Sequence, residues 1–309
     1  MARKSNLPKP PDEEPAKTGS TSEIMLKAAW QIVRQAKLQA LLLYVDGLKS
    51  LDELESLNFA GEIQIILVAR SDEAFEAAEK YTKNVVRVPQ VNPTRIGQIK
   101  MAVMLSFSQR LLKPEDKFAF LTGLAKGDLD TIMVMEVGRE HEMFQSVDQP
   151  PLTEHIRRAV FERVFNLALE LANEGREGKP IGAIFVLGDS TQVIANSRQM
   201  IMNPFKGYPE SERNILDDNM TETIKEFSTI DGAFVIKGTG TILSAGTNLL
   251  PKLITEELPQ GLGTRHAAAA AITAATKSIA ITISESTGAV RIWRQGRLVT
   301  EIEKAKYGS

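Results

Sequence analysis

Cysteine is absent from all 309 residues, which excludes disulfides, thiolate metal sites and cysteine nucleophiles and removes any argument for an oxidising compartment. Whatever chemistry the chain performs must use oxygen and nitrogen groups. Long apolar runs are also missing: none approaches the roughly 18 to 20 residues that span a bilayer, and the N-terminus lacks the apolar core of a secretory signal. These two absences predict a soluble, cytoplasmic protein. There is no surplus of positive charge either. Lys and Arg number 37 against 39 Asp and Glu, for a net charge of -2 and a pI near 6.1. Without a general basic field, nucleic acid is disfavoured as a partner.

What is present suffices for two hydrophobic cores of ordinary size, since 43% of the residues are hydrophobic and 25% charged. Residues 1–20 are rich in Pro, Lys, Glu and Asp, with too little to bury to offset the entropy of ordering, and are expected to form a disordered tail. From Ser22 the pattern becomes helical, with Ile24, Ala28, Ile32 and Val33 on one stripe and Ser22 placed to cap the first turn. Leu41 to Val45 then form a short apolar run closed by Asp46-Gly47, the signature of a strand buried on both faces. The unit recurs: a strand Ile63 to Val68, a helix from about Asp72, a strand Val85 to Val88, a helix Ile96 to Leu112, and apolar segments Phe118 to Leu121 and Ile132 to Val137. This alternation predicts an open, layered α/β domain over residues 21–140. The loops Asp46-Gly47, Ala69-Arg70-Ser71 and Thr122-Gly123 end its strands. They are either connecting turns or a small-ligand site of the kind open α/β sheets place there.

Pro150-Pro151 marks the boundary to a second α/β domain with a mixed sheet, residues 152–305. Thr153 is expected to cap a helix reaching Asn173, with Ile156, Val160, Val164, Leu167 and Leu171 as its apolar stripe. Strands Ile181 to Leu187, Ala233 to Ile236, Ser278 to Ile283 and Ala289 to Trp293 follow, with two short helical stretches between Asn203 and Phe227. Phe234 and Trp293 read as core residues, while His141 and His155 lack a second histidine at metal-ligand spacing.

Three short segments of this second domain can carry chemistry. Asp231-Gly232-Ala233 sets a carboxylate at a strand start beside two residues with almost no side chain, where a ligand can approach the backbone. Such a carboxylate can hold a divalent cation and draw a proton from a hydroxyl; alone, the segment also reads as an ordinary Asp-Gly turn. Gly263-Thr264-Arg265-His266 opens the helix Ala267 to Thr276, with Thr264 as the expected cap. Two basic residues in a first turn oppose the helix dipole, so this is either a phosphate site or a capped helix whose Arg and His face water or a neighbouring carboxylate. Ser284-Glu285-Ser286-Thr287-Gly288 heads a hairpin.

Placed in order, Glu170 through Gly182, Asp231-Gly232-Ala233, Leu262-Gly263-Thr264-Arg265-His266 and Ser284 through Gly288 resemble the successive signatures of the diadenylate cyclase family over about Leu152 to Glu303. Residues from Ser22 to Gly138 more faintly resemble the C-terminal α/β domain of pyruvate kinase. The combination, with no DNA-binding extension, is similar to the archaeal-type soluble branch of the cyclases. The resemblance implies an enzyme that condenses two ATP into cyclic di-AMP and two pyrophosphates in a homo-oligomer of facing sites, with Mg or Mn as cofactor. It also implies roles: Asp231, Arg265 and His266 catalytic, with Asp231 on the metal, and Gly232, Ala233, Gly263, Thr264, Ser284 and Glu285 lining the nucleotide. A small-molecule effector at the first domain is a further implication. One departure stands out, because the family's Arg-His-Arg is Arg265-His266-Ala267 here. The alternative to an active cyclase is a sensor that binds ATP or cyclic di-AMP with little or no turnover.

Overall fold

The computed structural model describes residues 20–55, 63–123, 127–137, 155–250 and 263–305. Apart from Ser20, the expected tail lies outside these residues, as do Pro150-Pro151, Thr153 and His141.

The described residues form two sheets. The first is five-stranded, in the order β3-β2-β1-β4-β5. Its strands are β1 (Ala40–Tyr44), β2 (Gln64–Ala69), β3 (Val85–Arg87), β4 (Lys117–Gly123) and β5 (Leu129–Glu136). β1, β2, β3 and β4 pair in parallel and β5 closes the edge antiparallel to β4. β1 is buried along its whole length, as its unbroken apolar run demands. Four helices accompany the sheet: α1 (Thr21–Gln35), the short α2 (Asp52–Glu55), α3 (Asp72–Tyr81) and α4 (Arg95–Ser108).

The cap of α1 differs from expectation. Ser20, not Ser22, accepts from the Glu23 amide. Ser22 is buried, donating from Oγ to the Gly47 carbonyl at 2.9 Å and accepting from the Leu129 amide at 2.9 Å, so it ties the helix start to the ends of two strands. Tertiary bonding decides between two neighbouring serines that local chemistry leaves equal.

The second sheet has seven strands, ordered β12-β11-β10-β6-β8-β9-β7. These are β6 (Ala183–Leu187), β7 (Ser197–Gln199), β8 (Ala233–Ile236), β9 (Ile242–Leu249), β10 (Ile279–Ile283), β11 (Val290–Arg294) and β12 (Arg297–Ile302). β6 and β8 are parallel and the other pairs antiparallel. Four helices belong to it: α5 (Arg158–Glu174), α6 (Ser190–Ala195), α7 (Met220–Phe227) and α8 (Thr264–Ala275).

Strand alternation sorts the side chains into two layers. Phe185, Leu187, Phe234, Ile281 and Ile292 join Val160, Phe161, Val164 and Leu167 of α5 in one core. Ile184, Val186, Val235, Ala280 and Trp293 pack with Ala269, Ala270 and Ile272 of α8 in the other. α8 meets the sheet through alanines, which lets its axis approach closely.

The two sheets are joined through α4, which packs on β12. The Lys100 ammonium donates to the Glu301 carbonyl at 3.0 Å, the Thr94 amide to the Glu303 carbonyl at 3.2 Å, and the Ala305 amide to the Asn92 carbonyl at 3.0 Å. No helix among the described residues is long and apolar enough to cross a membrane.

Candidate active site

The alanine run that follows His266 favours helix strongly, and α8 begins directly after Gly263, whose own backbone is extended. Gly263 is the cap residue and Thr264 the first helical residue, which corrects the expectation that Thr264 would cap. No side chain caps this end, and no acidic residue stands in its first turn. The start of α8 therefore presents amide N–H groups and the positive end of the dipole without local compensation.

Arg265 in that first turn reaches across to two carboxylates. Its Nη2 donates to Asp231 Oδ1 at 2.8 Å and its Nη1 to Glu285 Oε2 at 2.8 Å. Three segments far apart in sequence meet here: the turn before β8, the start of α8 and the head of the β10–β11 hairpin. Gly182 makes the crossing sterically feasible, because a Cβ at that position would lie 2.4 Å from Arg265 Nη1. Asp231 and Glu285 stay open to solvent, with 78% and 60% of their side chains exposed, so both carboxylates are accessible to a ligand.

His266, the next residue, is buried. Its Nε2 lies 2.7 Å from Arg291 Nη1, and Arg291 Nη2 donates to Glu301 Oε1 at 2.6 Å. Burial, with the Arg291 and Arg265 charges adding to it, lowers the imidazole pKa to about 4, so the ring is uncharged at neutral pH.

These residues surround a cleft of about 600 Å³ lined by Gly263, Thr264, Arg265, His266, Ser284, Glu285 and Arg291, with Pro180, Ile283, Ser286 and Thr287 completing its wall. Ser284 is nearly buried, and its carbonyl accepts from the Gly288 amide at 2.8 Å, which closes the hairpin head tightly. Asp231 joins the cleft through Arg265. Gly232 and Ala233 do not line it: Ala233 is fully buried in β8, and Gly232 has φ of 111° and packs on the backbone of Gly246 and Thr247. Arg291, Glu301 and Gly182 are absent from the sequence-based set of site residues. Arg291 shares a strand face with Trp293, two residues on, and that period was the available signal. Among the described residues no cluster of three or more His, Asp or Glu is placed to hold a metal by protein ligands alone.

Comparison with known proteins accords with this geometry. A family described as "DisA bacterial checkpoint controller nucleotide-binding" matches residues 170–298, and one described as "Probable sensor domain DacZ_P" matches 22–144. The diadenylate cyclase of Methanocaldococcus jannaschii is 39% identical over 214 residues, covering 66% of this chain and 66% of that protein. The diadenylate cyclase of Haloferax volcanii is 35% identical over 210 residues, covering 68% of this chain and 76% of that protein. The chain belongs to the diadenylate cyclase family. It is thus an enzyme of the nucleotidyltransferase class. Among solved structures, DacA from Staphylococcus aureus is a loose match, 22% identical with a TM-score of 0.31, covering 47% of this chain and 87% of that one.

In this cyclase Asp231, Arg265, His266, Ser284, Glu285 and Arg291 all fall inside the nucleotide-binding match, and Glu301 lies just beyond it. The sensor match contains a second cleft of about 540 Å³, lined by Asp46, Lys49, Ser50, Ser71 and Glu73 among others. Two of the three loops that the sequence leaves as either connecting turns or a ligand site meet there. The Asp46 carboxylate is already engaged, accepting from the Arg70 and Ser71 amides at 2.8 and 2.9 Å. The third loop points elsewhere, since Thr122 donates to Gln98 in a buried contact at 2.9 Å.

Proposed function

We propose that the cleft at the start of α8 binds ATP and that two copies of the chain, facing one another, condense two ATP into cyclic di-AMP. Each ribose 3′-hydroxyl attacks the α-phosphorus of the other nucleotide. A P–O bond forms there, the bond from Pα to the β-phosphate oxygen breaks, pyrophosphate leaves, and the hydroxyl proton passes to a carboxylate or to solvent. Two such transfers close the ring. Positioning and charge stabilisation supply most of the rate, and no covalent enzyme intermediate is required.

The observation that carries this reading is Arg265, suspended between Asp231 and Glu285 in front of an uncapped helix start. A triphosphate arriving there meets a forked donor, the Thr264 and Arg265 amides at the helix start and the positive end of the dipole together. Asp231 is the candidate base toward the hydroxyl. Thr264 and the hairpin-head residues Ser284 and Glu285 hold the nucleotide, and His266 contributes as an uncharged group.

Mg or Mn fits the donors present. Asp231 offers an exposed oxygen ligand beyond the one bonded to Arg265, and Mg in particular is commonly held by one or two carboxylates together with substrate phosphates and water. When bound, the cation neutralises developing phosphate charge and makes the attacking hydroxyl more acidic. Pairing of two copies is supported by a patch next to Asp231. Met200, Ile201 and Met202 are exposed, Met202 by 93%, and Ile201 packs where Gly246 passes the Asp231 carbonyl. An effector bound to the first domain would act on the site through α4, which rests on β12, the strand that carries Glu301.

A second reading, nucleotide binding without cyclisation, is favoured by Ala267, which replaces one guanidinium of the family motif. Incubation of the purified chain with ATP and each cation, followed by mass identification of the nucleotide product, separates the two. Cyclic di-AMP is expected. Asp231→Asn, which removes charge and keeps shape, should lower its formation by about 100-fold or more while leaving the melting temperature unchanged. Wild-type turnover in that variant would remove Asp231 from the mechanism.

A further inference from the structure

We infer that Arg291 is a positioning residue of this site: it holds His266 as a neutral ring with the proton on Nδ1, and Glu301 of β12 holds Arg291 in its turn. The inference rests on reading the cleft as the nucleotide site.

A guanidinium has donors and no acceptor. At 2.7 Å from Arg291 Nη1, His266 Nε2 must therefore offer its lone pair, and the ring proton is displaced to Nδ1. A ring protonated on Nε2 would set donor against donor. Alternation along β11 places Arg291 and Trp293 on the face that α8 covers, and both reach the imidazole, Trp293 edge-on at 6.2 Å between centroids. Trp293 cannot swing away easily, since its Nε1 donates to buried Thr282 Oγ1 at 3.0 Å.

Glu301 stands directly opposite Arg291 in the β11–β12 ladder and bonds it at 2.6 Å. Only 13% of the Arg291 side chain and 27% of the Glu301 side chain are exposed, so this pair is less screened than an ion pair on the open surface. Among the described residues, the charged groups that act on the ring are those of two arginines and their carboxylate partners. Arg291 faces it from β11 with Glu301 behind, and Arg265 faces it from α8 with Asp231 and Glu285 beyond. Nδ1 is buried and has no hydrogen-bond partner among the described residues, although the ring lines the cleft. Arg291 therefore fixes which nitrogen is the donor and leaves that donor to a group the described chain does not supply, such as a phosphate oxygen.

The test is 15N NMR of the histidine rings in the full chain, where only three histidines occur and His266→Gln identifies the relevant signals. Wild type should show an unprotonated Nε2 and a protonated Nδ1 for His266 from pH 8 to about 5, given its low pKa. In Arg291→Gln the signals should move toward a mixture of tautomers with the titration shifted upward, and kcat should fall about tenfold or more with KM for ATP changed little. Glu301→Gln keeps the guanidinium and releases its anchor, and should move the same signals less far; it also serves if Arg291→Gln does not fold. Wild-type ring signals in both variants, or altered signals with unchanged kcat, would overturn the proposal. The ring signals need no turnover, so they test the Arg291 contact even if the wild-type chain forms no cyclic product, an outcome that sinks the cyclase reading itself.

Discussion

An added methyl group has opposite consequences at two glycines of this site. At Gly182 it would press on the end of a flexible side chain, 2.4 Å from Arg265 Nη1 and 2.9 Å from its Cζ. Arg265 can move aside at little cost to folding but loses its place between Asp231 and Glu285. Gly182→Ala should therefore melt close to wild type while kcat/KM falls about 100-fold, the scale of a catalytic group displaced by an ångström. At Gly232 the methyl would meet backbone, 2.6 Å from the Gly246 carbonyl carbon, at a φ of 111° that only glycine adopts without strain. Gly232→Ala should lower unfolding free energy by about 2 kcal/mol or more in a urea titration. Stability loss in the first variant with normal turnover, or none in the second, would contradict this division. His266 adds a pH signature. Its pKa is near 4 when folded and would be about 6.5 unfolded, so the unfolded chain binds a proton that the folded chain refuses. The ring's contribution is complete above about pH 6.5 and is lost as pH falls toward 4, by up to roughly 1.4 kcal/mol per unit. The drop in melting temperature from pH 7 to 5 should accordingly be smaller in His266→Gln than in wild type.

Among the elements, α4 and β12 form the joint on which the molecule depends. Lys100 is half-buried, and burial lowers its pKa while Glu303 and Glu301 oppose that shift. Its bond to the Glu301 carbonyl is charge-assisted, so Lys100→Met should cost about 1–2 kcal/mol in chemical denaturation; an unchanged midpoint would show that the joint does not need it. Elements written as largely apolar runs were legible in the sequence: β1, β2, β6 and β10 lie within a residue or two of expectation, because a strand mostly buried on both faces leaves few other patterns. β9 and β12 escaped because Ser244, Gly246 and Thr247 interrupt the first and Glu301 the second: the two β9 hydroxyls pair with each other, and Glu301 finds Arg291 on the neighbouring strand. The long helix α5 begins at Arg158, later than its apolar stripe suggests, because Ile156 fits the stripe but lies before the first helical turn. The site divides the same way. Arg265 and His266 announce themselves beside a helix start, whereas Arg291 and Glu301 acquire meaning only when β11 is laid against α8 and β12.

For the whole molecule, the proposed reaction imposes a count that the single chain does not meet. Cyclic di-AMP contains two phosphodiester bonds between two nucleotides, whereas the described chain has one cleft with an Arg265–Asp231–Glu285 cluster, and that cluster opens outward, with Asp231 78% exposed. If two copies face each other, each carboxylate serves one of the two bonds. A pair made of one wild-type chain and one Asp231→Asn chain can then form one bond and must stop at the linear dinucleotide. Mixing the two proteins, with time for exchange of partners, should reduce cyclic product per wild-type chain in proportion to the wild-type fraction, so that an equal mixture makes half as much for the same wild-type input. The linear dinucleotide should accumulate in step, measured by mass. Yield that follows wild-type chains alone, whatever the amount of variant added, would mean that one chain closes the ring without a partner, and the facing arrangement would have to be abandoned.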